Sequence, residues 1–470
     1  MRAVGNGTRE QKVKRKGVFN NMKFWCASRD MTPDQPIFMH GFGARTGKST
    51  GVHDPLYIKA AMLSANKTLL VITIDSLGSD RAFVLGIKET LRERFGLAPE
   101  DVLINFSHTH HSVFLTGPDA NWRRGGYSID QDRWTDDDNE LDFSPDVRFY
   151  EFVRDLIADM TNECYQRLEE GELRLAQHTS DFAVSRRRPE GQGVVWKPYF
   201  EGEIDKELLV LTIVDRSGAL RAVLYNYGCH TTSMGPDNLL LSNDFAGQTS
   251  KRLEANYPGA MALFLQGCAG ELKPRAGVLN DKFYSMSLQE MEQAGDALAD
   301  EVTAIINNRP FVRIECEFAS RMADPQLRTE LTEPAVYEAM AADPAYNSFY
   351  RSAAARTLRA IEDDTVKTSI PHYIVVWQLD KRTHVVAMEG EVSTEYALKI
   401  KRLFGSQTLV LGYTNGVFCY IPTRKMISEG GYEAICNFFF TMRGPFLPEI
   451  EDVIMSEIGT LRNGLVGARE

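Results

Sequence analysis

The sequence lacks several patterns that would assign it to a familiar class of protein. Its seven cysteines contain no C-x-x-C pair, so a structural zinc cluster is not expected. The net charge is −11, which is the opposite of the basic excess that a nucleic-acid-binding protein needs. Apolar runs such as residues 68–74 and 260–265 are far too short to span a bilayer. These absences predict an ordinary globular protein that does not bind nucleic acid and does not span a membrane.

The beginning of the chain also lacks the apolar segment of a secretory signal. Residues 1–21 are basic and polar, so we predict a disordered extension there, followed by a single large catalytic domain over residues 22–470. The cysteines are odd in number and scattered, which fits a reducing compartment. We therefore predict a cytoplasmic location. The sequence leaves the oligomeric state open.

Two loops look like ligand-binding loops but lack the residues that such loops require. The glycine-rich stretch 39–47 has no Gly-Lys-Ser/Thr at the spacing of a phosphate loop, so its glycines are expected to permit close backbone approach near a site. The acidic stretch 135–142 lacks the ligand pattern and glycine of an EF-hand loop. We predict a solvated loop there.

The order of apolar and amphipathic segments predicts an α/β fold with mixed sheets flanked by helices. A buried strand at 68–75, a helix at 80–95 and a strand before residue 105 follow one another. Hairpins are expected at 208–227 and 373–388. The proline-interrupted range 324–364 is expected to be a helical insertion.

The stretch Asn105-Phe-Ser-His-Thr-His-His-Ser112 places three imidazoles directly after a predicted buried strand. In an extended segment His108 and His110 point to one side and His111 to the other, because side chains alternate. Two histidines on the same side can share a metal, or can divide ligand and acid/base roles. We interpret this stretch as the centre of a metal-dependent hydrolytic site.

Other metal-binding side chains also stand at the ends of predicted strands. They are His230, Glu391 and the pair Tyr413 and Tyr420. Polar residues at strand ends usually gather at one edge of an α/β sheet. A catalytic Zn²⁺ needs nitrogen or oxygen ligands and one open position for water, so two histidines and a glutamate suffice.

Taken singly, most of these residues have simpler explanations. Glu391 alone is a routine carboxylate at a helix N-terminus, and Tyr420 alone is more often a half-buried aromatic. Asp75 and Asp244 are expected to be caps or partners of the ligands. Arg187 and Arg188 are interpreted as solvated surface charge.

An ordered set of motifs resembles the catalytic domain of the neutral/alkaline (non-lysosomal) ceramidase family. The matching stretches run in the family's order across about residues 38–440, and they are Gly41-Phe-Gly-Ala-Arg, His108-Thr-His, Asn226-Tyr-Gly-Cys-His-Thr-Thr, Ser242-Asn-Asp-Phe-Ala-Gly, Gln266-Gly, Glu389-Gly-Glu, Thr414-Asn-Gly and Tyr420-Ile-Pro-Thr. Each motif is weak alone, whereas the ordered set is specific.

The resemblance implies a zinc-dependent hydrolase that cleaves an amide (N-acyl) bond with metal-activated water. The implied zinc ligands are His108, His230, Glu391 and Tyr420, and the implied catalytic residues are His110, Arg186 and Tyr432. Lys273 stands where the family has a serine, and we expect it to take over that serine's place as a donor. His110 would act as base or stabilise the oxyanion, while Arg186 and Tyr432 would hold a polar or anionic part of the substrate.

The chain departs from the family at three points. The family segment Gly-Asp-Val-Ser-Pro reads Gly270-Glu-Leu-Lys273-Pro, so a lysine replaces the serine proposed to aid amide cleavage. The family's C-terminal β-sandwich-like domain and its secretion signal have no counterpart in the sequence. We therefore expect a soluble or smaller amide, or an ester, rather than ceramide in a membrane.

Three functions stay open on the sequence alone. The first is the zinc amidohydrolase, and the second is an esterase or other metal hydrolase acting on a small soluble substrate. The third is a non-catalytic relative that binds a ligand, for which Lys273 would be the mark.

Overall fold

The computed structural model describes residues 22–43, 45, 47–116 and 144–466. The predicted extension over residues 1–21 and the acidic stretch 135–142 lie outside the described residues.

The strands are, in chain order, β1 Lys23–Asp30, β2 Gly51–Val52, β3 Tyr57–Ser64, β4 Thr68–Ile74, β5 Gly78–Ser79, β6 Val102–Phe106, β7 Phe114–Leu115, β8 Glu169–Thr179, β9 Ala183–Glu190, β10 Gly193–Tyr199, β11 Glu207–Asp215, β12 Leu220–Tyr227, β13 Leu240–Leu241, β14 Met261–Gln266, β15 Leu272–Pro274, β16 Val278–Leu279, β17 Lys282–Phe283, β18 Val312–Arg313, β19 Ala319–Ala323, β20 Gln326–Arg328, β21 Ser369–Pro371, β22 Ile374–Gln378, β23 His384–Met388, β24 Glu391–Val392, β25 Thr408–Leu411 and β26 Tyr420–Ile421. The α-helices are α1 Arg81–Phe95, α2 Ser144–Arg167, α3 Asp244–Asn256, α4 Leu288–Asn308, α5 Pro334–Ala342, α6 Ser348–Glu362, α7 Thr394–Phe404, α8 Arg424–Glu429, α9 Tyr432–Ile435 and α10 Ile450–Val466.

A nine-stranded mixed sheet forms the larger half of the fold. Its order is β14-β12-β11-β8-β1-β3-β4-β6, and β18 pairs with β8 outside this path. The predicted strand–helix–strand unit is present, because β4 and β6 pair in parallel and α1 connects them. The predicted hairpin at 208–227 is the antiparallel pair β11 and β12.

The two ends of this sheet meet through a side chain. The Nδ2 atom of Asn105 in β6 donates to the carbonyl of Gln266 in β14 at 3.3 Å, and its Oδ1 accepts from the Gln266 backbone N–H at 2.8 Å. The Asn105 side-chain amide thus makes the pair of hydrogen bonds that a neighbouring strand's backbone would make, and it links the two edge strands β6 and β14. As a result, the loops that follow β6, β12 and β14 open into the same space.

A four-stranded sheet, β19-β22-β23-β25, packs against one face of the larger sheet. Alternation along β4 shows the arrangement, since Leu69 and Val71 face the second sheet while Leu70 and Ile72 face the helices. Helices α1–α4 cover that outer face, and α7 and α10 cover the far side of the second sheet. The predicted α/β fold with mixed sheets flanked by helices is confirmed.

The range 324–364 contains α5 and α6, which the sequence predicted as helical. The first residues of this range form a strand and not a helix, because β20 pairs with β21 in an antiparallel ladder. The interpretation of this stretch as helix without sheet is therefore wrong at Gln326–Arg328. Within the described ranges, no helix combines the length and the apolar character needed to cross a membrane.

Candidate metal centre

The loop after β6 brings His108 and His110 together through a turn of the backbone, and not through the alternation of side chains along a strand. The strand ends at Phe106, and His108 adopts a left-handed backbone with φ of 60°. The Nε2 atoms of His108 and His110 are nevertheless 3.2 Å apart. His111 points away, with its Nε2 3.2 Å from the carbonyl of Gly235. The predicted sidedness is confirmed, whereas the extended segment assumed for it is wrong.

His230 and Glu391 reach the same point from other parts of the chain. His230 follows β12, and its Nε2 lies 3.2 Å from Nε2 of His108. Glu391 begins β24, and its Oε2 is 3.4 Å from Nε2 of His108 and 3.5 Å from Nε2 of His230. All three side chains are buried. Three of the four predicted ligands therefore converge on one point.

The fourth predicted ligand, Tyr420, lies alongside. Strands β24 and β26 pair in parallel so that Glu391 stands opposite Tyr420. The Tyr420 ring stacks on the His230 ring, with centroids 6.4 Å apart and an interplanar angle of 6°. The structure thus places Tyr420 in contact with the cluster.

The hydrogen bonds on the far side of the rings determine which nitrogens carry protons. Nδ1 of His108 is 2.6 Å from the carbonyl of Leu77, and Nδ1 of His230 is 3.3 Å from the carbonyl of Ala269. A carbonyl accepts only, so both Nδ1 atoms carry the hydrogen in the neutral rings and both Nε2 atoms present lone pairs. These lone pairs face each other and Oε2 of Glu391, an atom that has no hydrogen-bond partner among the residues that the structure describes. Such a group of buried acceptors suits a divalent cation.

His110 extends this group to three imidazoles. The side-chain nitrogens of His108, His110 and His230 that face each other all lie within 4.8 Å, close enough to hold one metal ion. Burial, together with the neighbouring His108 and His230, holds the pKa of His110 well below its ordinary value. The His110 ring is therefore neutral, which suits either a ligand or a proton acceptor.

The glycine-rich stretch 39–47 packs onto His110. A Cβ atom added to Gly41 would lie 2.4 Å from Nδ1 of His110, and Gly41 has φ of +103°. The Phe42 ring is 4.8 Å from the His110 ring, and Arg45 donates to the His110 carbonyl at 2.6 Å. The predicted close backbone approach near the site is confirmed at Gly41.

The predicted residues Arg186 and Tyr432 lie next to Tyr420. The guanidinium carbon of Arg186 is 5.5 Å from the centre of the Tyr420 ring, and the Tyr432 ring meets Tyr420 edge-on at 5.4 Å. Arg186 also stacks on Trp196 at 4.2 Å. Trp196 is 51% exposed, so the stacked side chains of Tyr420, Arg186 and Trp196 extend from the histidine cluster to solvent.

Arg186 and Arg187 share one buried carboxylate. Nε of Arg186 donates to Glu433 at 2.8 Å, and Nη1 of Arg187 donates to its other oxygen at 2.7 Å. Arg187 is 7% exposed, so its interpretation as solvated surface charge is wrong. Arg188 pairs with Asp281, and its side chain is 28% exposed. The run of three arginines gave no sequence signal that the first two are buried and only the third is partly exposed.

Lys273 approaches from the strand next to Arg186. Its Nζ donates to Thr232 at 2.8 Å to the hydroxyl and 3.2 Å to the carbonyl. Burial, and to a smaller extent the Arg186 guanidinium, lowers the pKa of Lys273 to about 8. The Lys273 charge in turn contributes to the lowered pKa of both His110 and His230. All the predicted site residues therefore surround one point.

One residue near the cluster received no role in the sequence-based assignment. Tyr413 places its hydroxyl 3.3 Å from Nδ1 of His230, and its ring centre is 4.4 Å from that of His108. Its position at a strand end was the available signal. Asp244 accepts backbone N–H groups from Ser233 and Phe245, and Asp75 accepts from Tyr57, as expected for partners rather than ligands.

Comparison with known proteins identifies a family for this chain. The family described as neutral/alkaline non-lysosomal ceramidase, N-terminal, matches residues 26–275. A neutral ceramidase from Pseudomonas aeruginosa is 24% identical over 268 residues, which cover 54% of this chain and 37% of that protein. The matched stretch thus spans well under half of the relative's length.

Solved structures agree on the fold. The crystal structure of neutral ceramidase from Pseudomonas aeruginosa matches with a TM-score of 0.69 and 17% identity, over 94% of this chain and 74% of that one. A ceramidase complexed with C2 matches with a TM-score of 0.68 and 16% identity, over 96% and 76% of the two chains. At this identity the likeness establishes the fold alone.

Proposed function

Because the chain belongs to the neutral/alkaline non-lysosomal ceramidase family, we propose that it is a zinc-dependent hydrolase that cleaves an amide (N-acyl) bond. The observation that carries the proposal is the convergence of three buried imidazoles and a carboxylate on one point, where the facing atoms of His108, His230 and Glu391 are acceptors. A divalent cation bound at this point would satisfy these acceptors together. His108, His230, Glu391 and Tyr420 are the residues proposed to hold it.

The bound ion would supply two things, polarisation of the scissile carbonyl and a lower pKa for the attacking water. The chain supplies the rest. His110 is buried and neutral, so its Nε2 can accept the proton that the water loses and later deliver it to the leaving nitrogen. The carbonyls of Leu77 and Ala269 hold the rings of His108 and His230 in orientation. Tyr432 and Arg186 stand where they can bind the substrate beside the reacting bond.

The proposal is tested by metal content and hydrolysis measured on the same preparations. We expect about one zinc per chain by mass spectrometry in the wild type, and hydrolysis of at least one compound from a panel of N-acyl amides and simple esters. His108→Ala and Glu391→Gln should lose both the zinc and the activity, while Glu338→Gln on the exposed side of α5 should lose neither. His110→Ala should keep zinc and lose activity.

Two results would count against the assignment. Full zinc occupancy in both His108→Ala and Glu391→Gln would refute the proposed ligands. Zinc loss in His110→Ala would move His110 from the base to the ligands. Hydrolysis of esters alone would favour the second candidate, an esterase.

A further inference from the structure

Two cationic side chains lie on the same face of a small sheet beside the metal centre. Strands β9 and β15 pair antiparallel, with Lys273 opposite Val184, and the backbone N–H of Arg186 donates to the carbonyl of Glu271 at 2.9 Å. Side chains alternate along strands, so Lys273 and Arg186 project to the same side, two residues apart along the ladder.

Lys273 has hydrogen bonds but no counter-charge. Its Nζ atom donates to the hydroxyl and the carbonyl of Thr232, which leaves one of its three donor hydrogens unused. Over the part of the chain that the structure describes, no carboxylate forms an ion pair with it. A half-buried ammonium group without an anion is costly, because water no longer fully solvates it.

Arg186 also retains binding capacity. It is 3% exposed, and its Nη2 atom has no hydrogen-bond partner among the described residues. Glu433 is its only ion-pair partner there, and that carboxylate divides its two oxygens between Arg186 and Arg187. Arg187 has a second carboxylate partner in Glu429 at 3.3 Å, so Arg186 is the arginine that depends on a shared negative charge alone.

The other carboxylates near these cations are already engaged. Glu271 accepts from the Ser393 hydroxyl and the Thr394 backbone N–H, and Asp244 accepts from the backbone N–H groups of Ser233 and Phe245. Glu391 faces the histidines. Among the described residues no carboxylate therefore forms an ion pair with Lys273, and Asp244 acts on its charge only from beyond ion-pair distance.

From this arrangement we infer that the substrate itself carries an acidic group close to the scissile amide, and that Lys273 and Arg186 bind it. The substrate class is an N-acyl compound with a carboxylate on its amine or acyl part, such as an N-acyl amino acid. This inference rests on the proposed amide hydrolysis. Lys273 is then the residue that makes the protein prefer acidic over neutral substrates.

The experiment compares matched acid and neutral substrates. N-octanoylglycine and N-octanoylglycinamide differ only in a carboxylate on the amine part, and N-octylsuccinamic acid and its primary amide differ only in a carboxylate on the acyl part. For at least one pair, the wild type should have a kcat/KM for the acid that is about ten- to hundredfold higher, the value of one charge-assisted hydrogen-bonded pair.

Variants then assign the preference to Lys273. Lys273→Gln keeps the length and a donor but removes the charge, so the ratio of acid to neutral kcat/KM should fall by about tenfold or more. Lys273→Arg should retain the preference, and Lys282→Gln, which alters an exposed lysine nearby, should leave the ratio unchanged. Thermal unfolding of each variant confirms that it is folded.

Each outcome decides the inference. Equal or better hydrolysis of the neutral members by the wild type would overturn it, and so would a ratio that Lys273→Gln leaves unchanged. If no amide is hydrolysed, the proposed function fails, and calorimetric binding of the same pairs to the zinc-loaded protein decides. A tighter Kd for an acid that is lost in Lys273→Gln would then support the inference, and equal Kd values would end it.

Discussion

His108 shows how the backbone of one residue builds the candidate centre. Its left-handed conformation turns the chain sharply after β6, so that His108 and His110 meet although they do not lie on a strand. The sequence predicted that these two histidines share a site, because three imidazoles in four residues are hard to explain by packing. It did not predict the turn, since a non-glycine residue with positive φ has no reliable sequence signal.

Gly41 allows a test of the close packing around His110. Gly41→Ala should disturb the His110 ring, because the new Cβ would lie 2.4 Å from Nδ1, and it should also strain a backbone with φ of +103°. We expect a loss of about 1–3 kcal/mol in the free energy of unfolding and a fall of at least about tenfold in kcat/KM. Denaturant unfolding and hydrolysis kinetics measure the two effects.

Gly96→Ala is the matched control for that substitution. Gly96 also has positive φ, at +69°, but nothing lies within 4 Å of a Cβ added there. It should lose about 1 kcal/mol of stability and none of the activity. Equal activity in the two variants would contradict the role given to Gly41.

Glu433 tests the buried pair of arginines. Glu433→Gln should remove about 3–5 kcal/mol from the free energy of unfolding, because it leaves buried Arg186 without an ion-pair partner among the described residues and leaves Arg187 with Glu429 alone. Asp281→Asn, which breaks the exposed pair with Arg188, should cost about 1 kcal/mol or less. Urea unfolding of both variants measures the two losses in the free energy of unfolding. Similar losses would mean that the buried contacts of Glu433 stabilise the fold no more than the exposed pair does.

Among the secondary-structure elements, short-range patterns predicted more than long-range pairings. The hairpins at 208–227 and 373–388 and the parallel pair β4 and β6 follow from alternation and turn residues. The contact between β6 and β14 had no such signal, because it depends on one asparagine side chain and residues 161 positions apart. The strand β20 was missed because its three residues lie between prolines.

Asn105 tests the junction between these sheet ends. Asn105→Ala should leave the Gln266 backbone N–H at the same edge without its partner, and should lower the free energy of unfolding by about 2–5 kcal/mol. Zinc affinity should fall as well, because the His108 loop follows directly. Titration with a zinc indicator measures this, and Asn256→Ala, at the exposed C-terminal end of α3, is the control. Unchanged stability would show that the two ends meet without Asn105.

The stability of the whole molecule should depend on pH through a buried lysine. Lys88 is 1% exposed and donates to the carbonyls of Pro99 and Val102. Burial lowers its pKa from 10.5 to about 7. Between these values the unfolded chain binds the proton and the folded chain does not, so this group makes stability rise with pH from about 7 to 10.5.

Lys88→Met removes that dependence. The stability of the wild type relative to the variant should increase by a few kcal/mol between pH 7 and pH 10, as measured by chemical unfolding at each pH. A constant difference across this range would mean that Lys88 keeps its ordinary pKa in the fold.

On the scale of the whole chain, the candidate site includes residues that lie outside the segment matched by the family. The match covers residues 26–275, whereas Glu391, Tyr420 and Tyr432 lie beyond it. The ordered motifs in the sequence nevertheless predicted that the later residues join the site. The assignment to the cytoplasm stays a prediction, and the seven free cysteines are compatible with it.

The distribution of the cluster over both sheets affects when it can form during protein synthesis. His108 and His230 belong to loops of the larger sheet, while Glu391 arrives only after the second sheet's β22 and β23. A ribosome-bound chain that has emerged only as far as residue 275 already displays both histidines, but it has no carboxylate to complete the set. The complete set of candidate ligands can therefore assemble only after residues 391 and 420 have emerged, long after the two histidines.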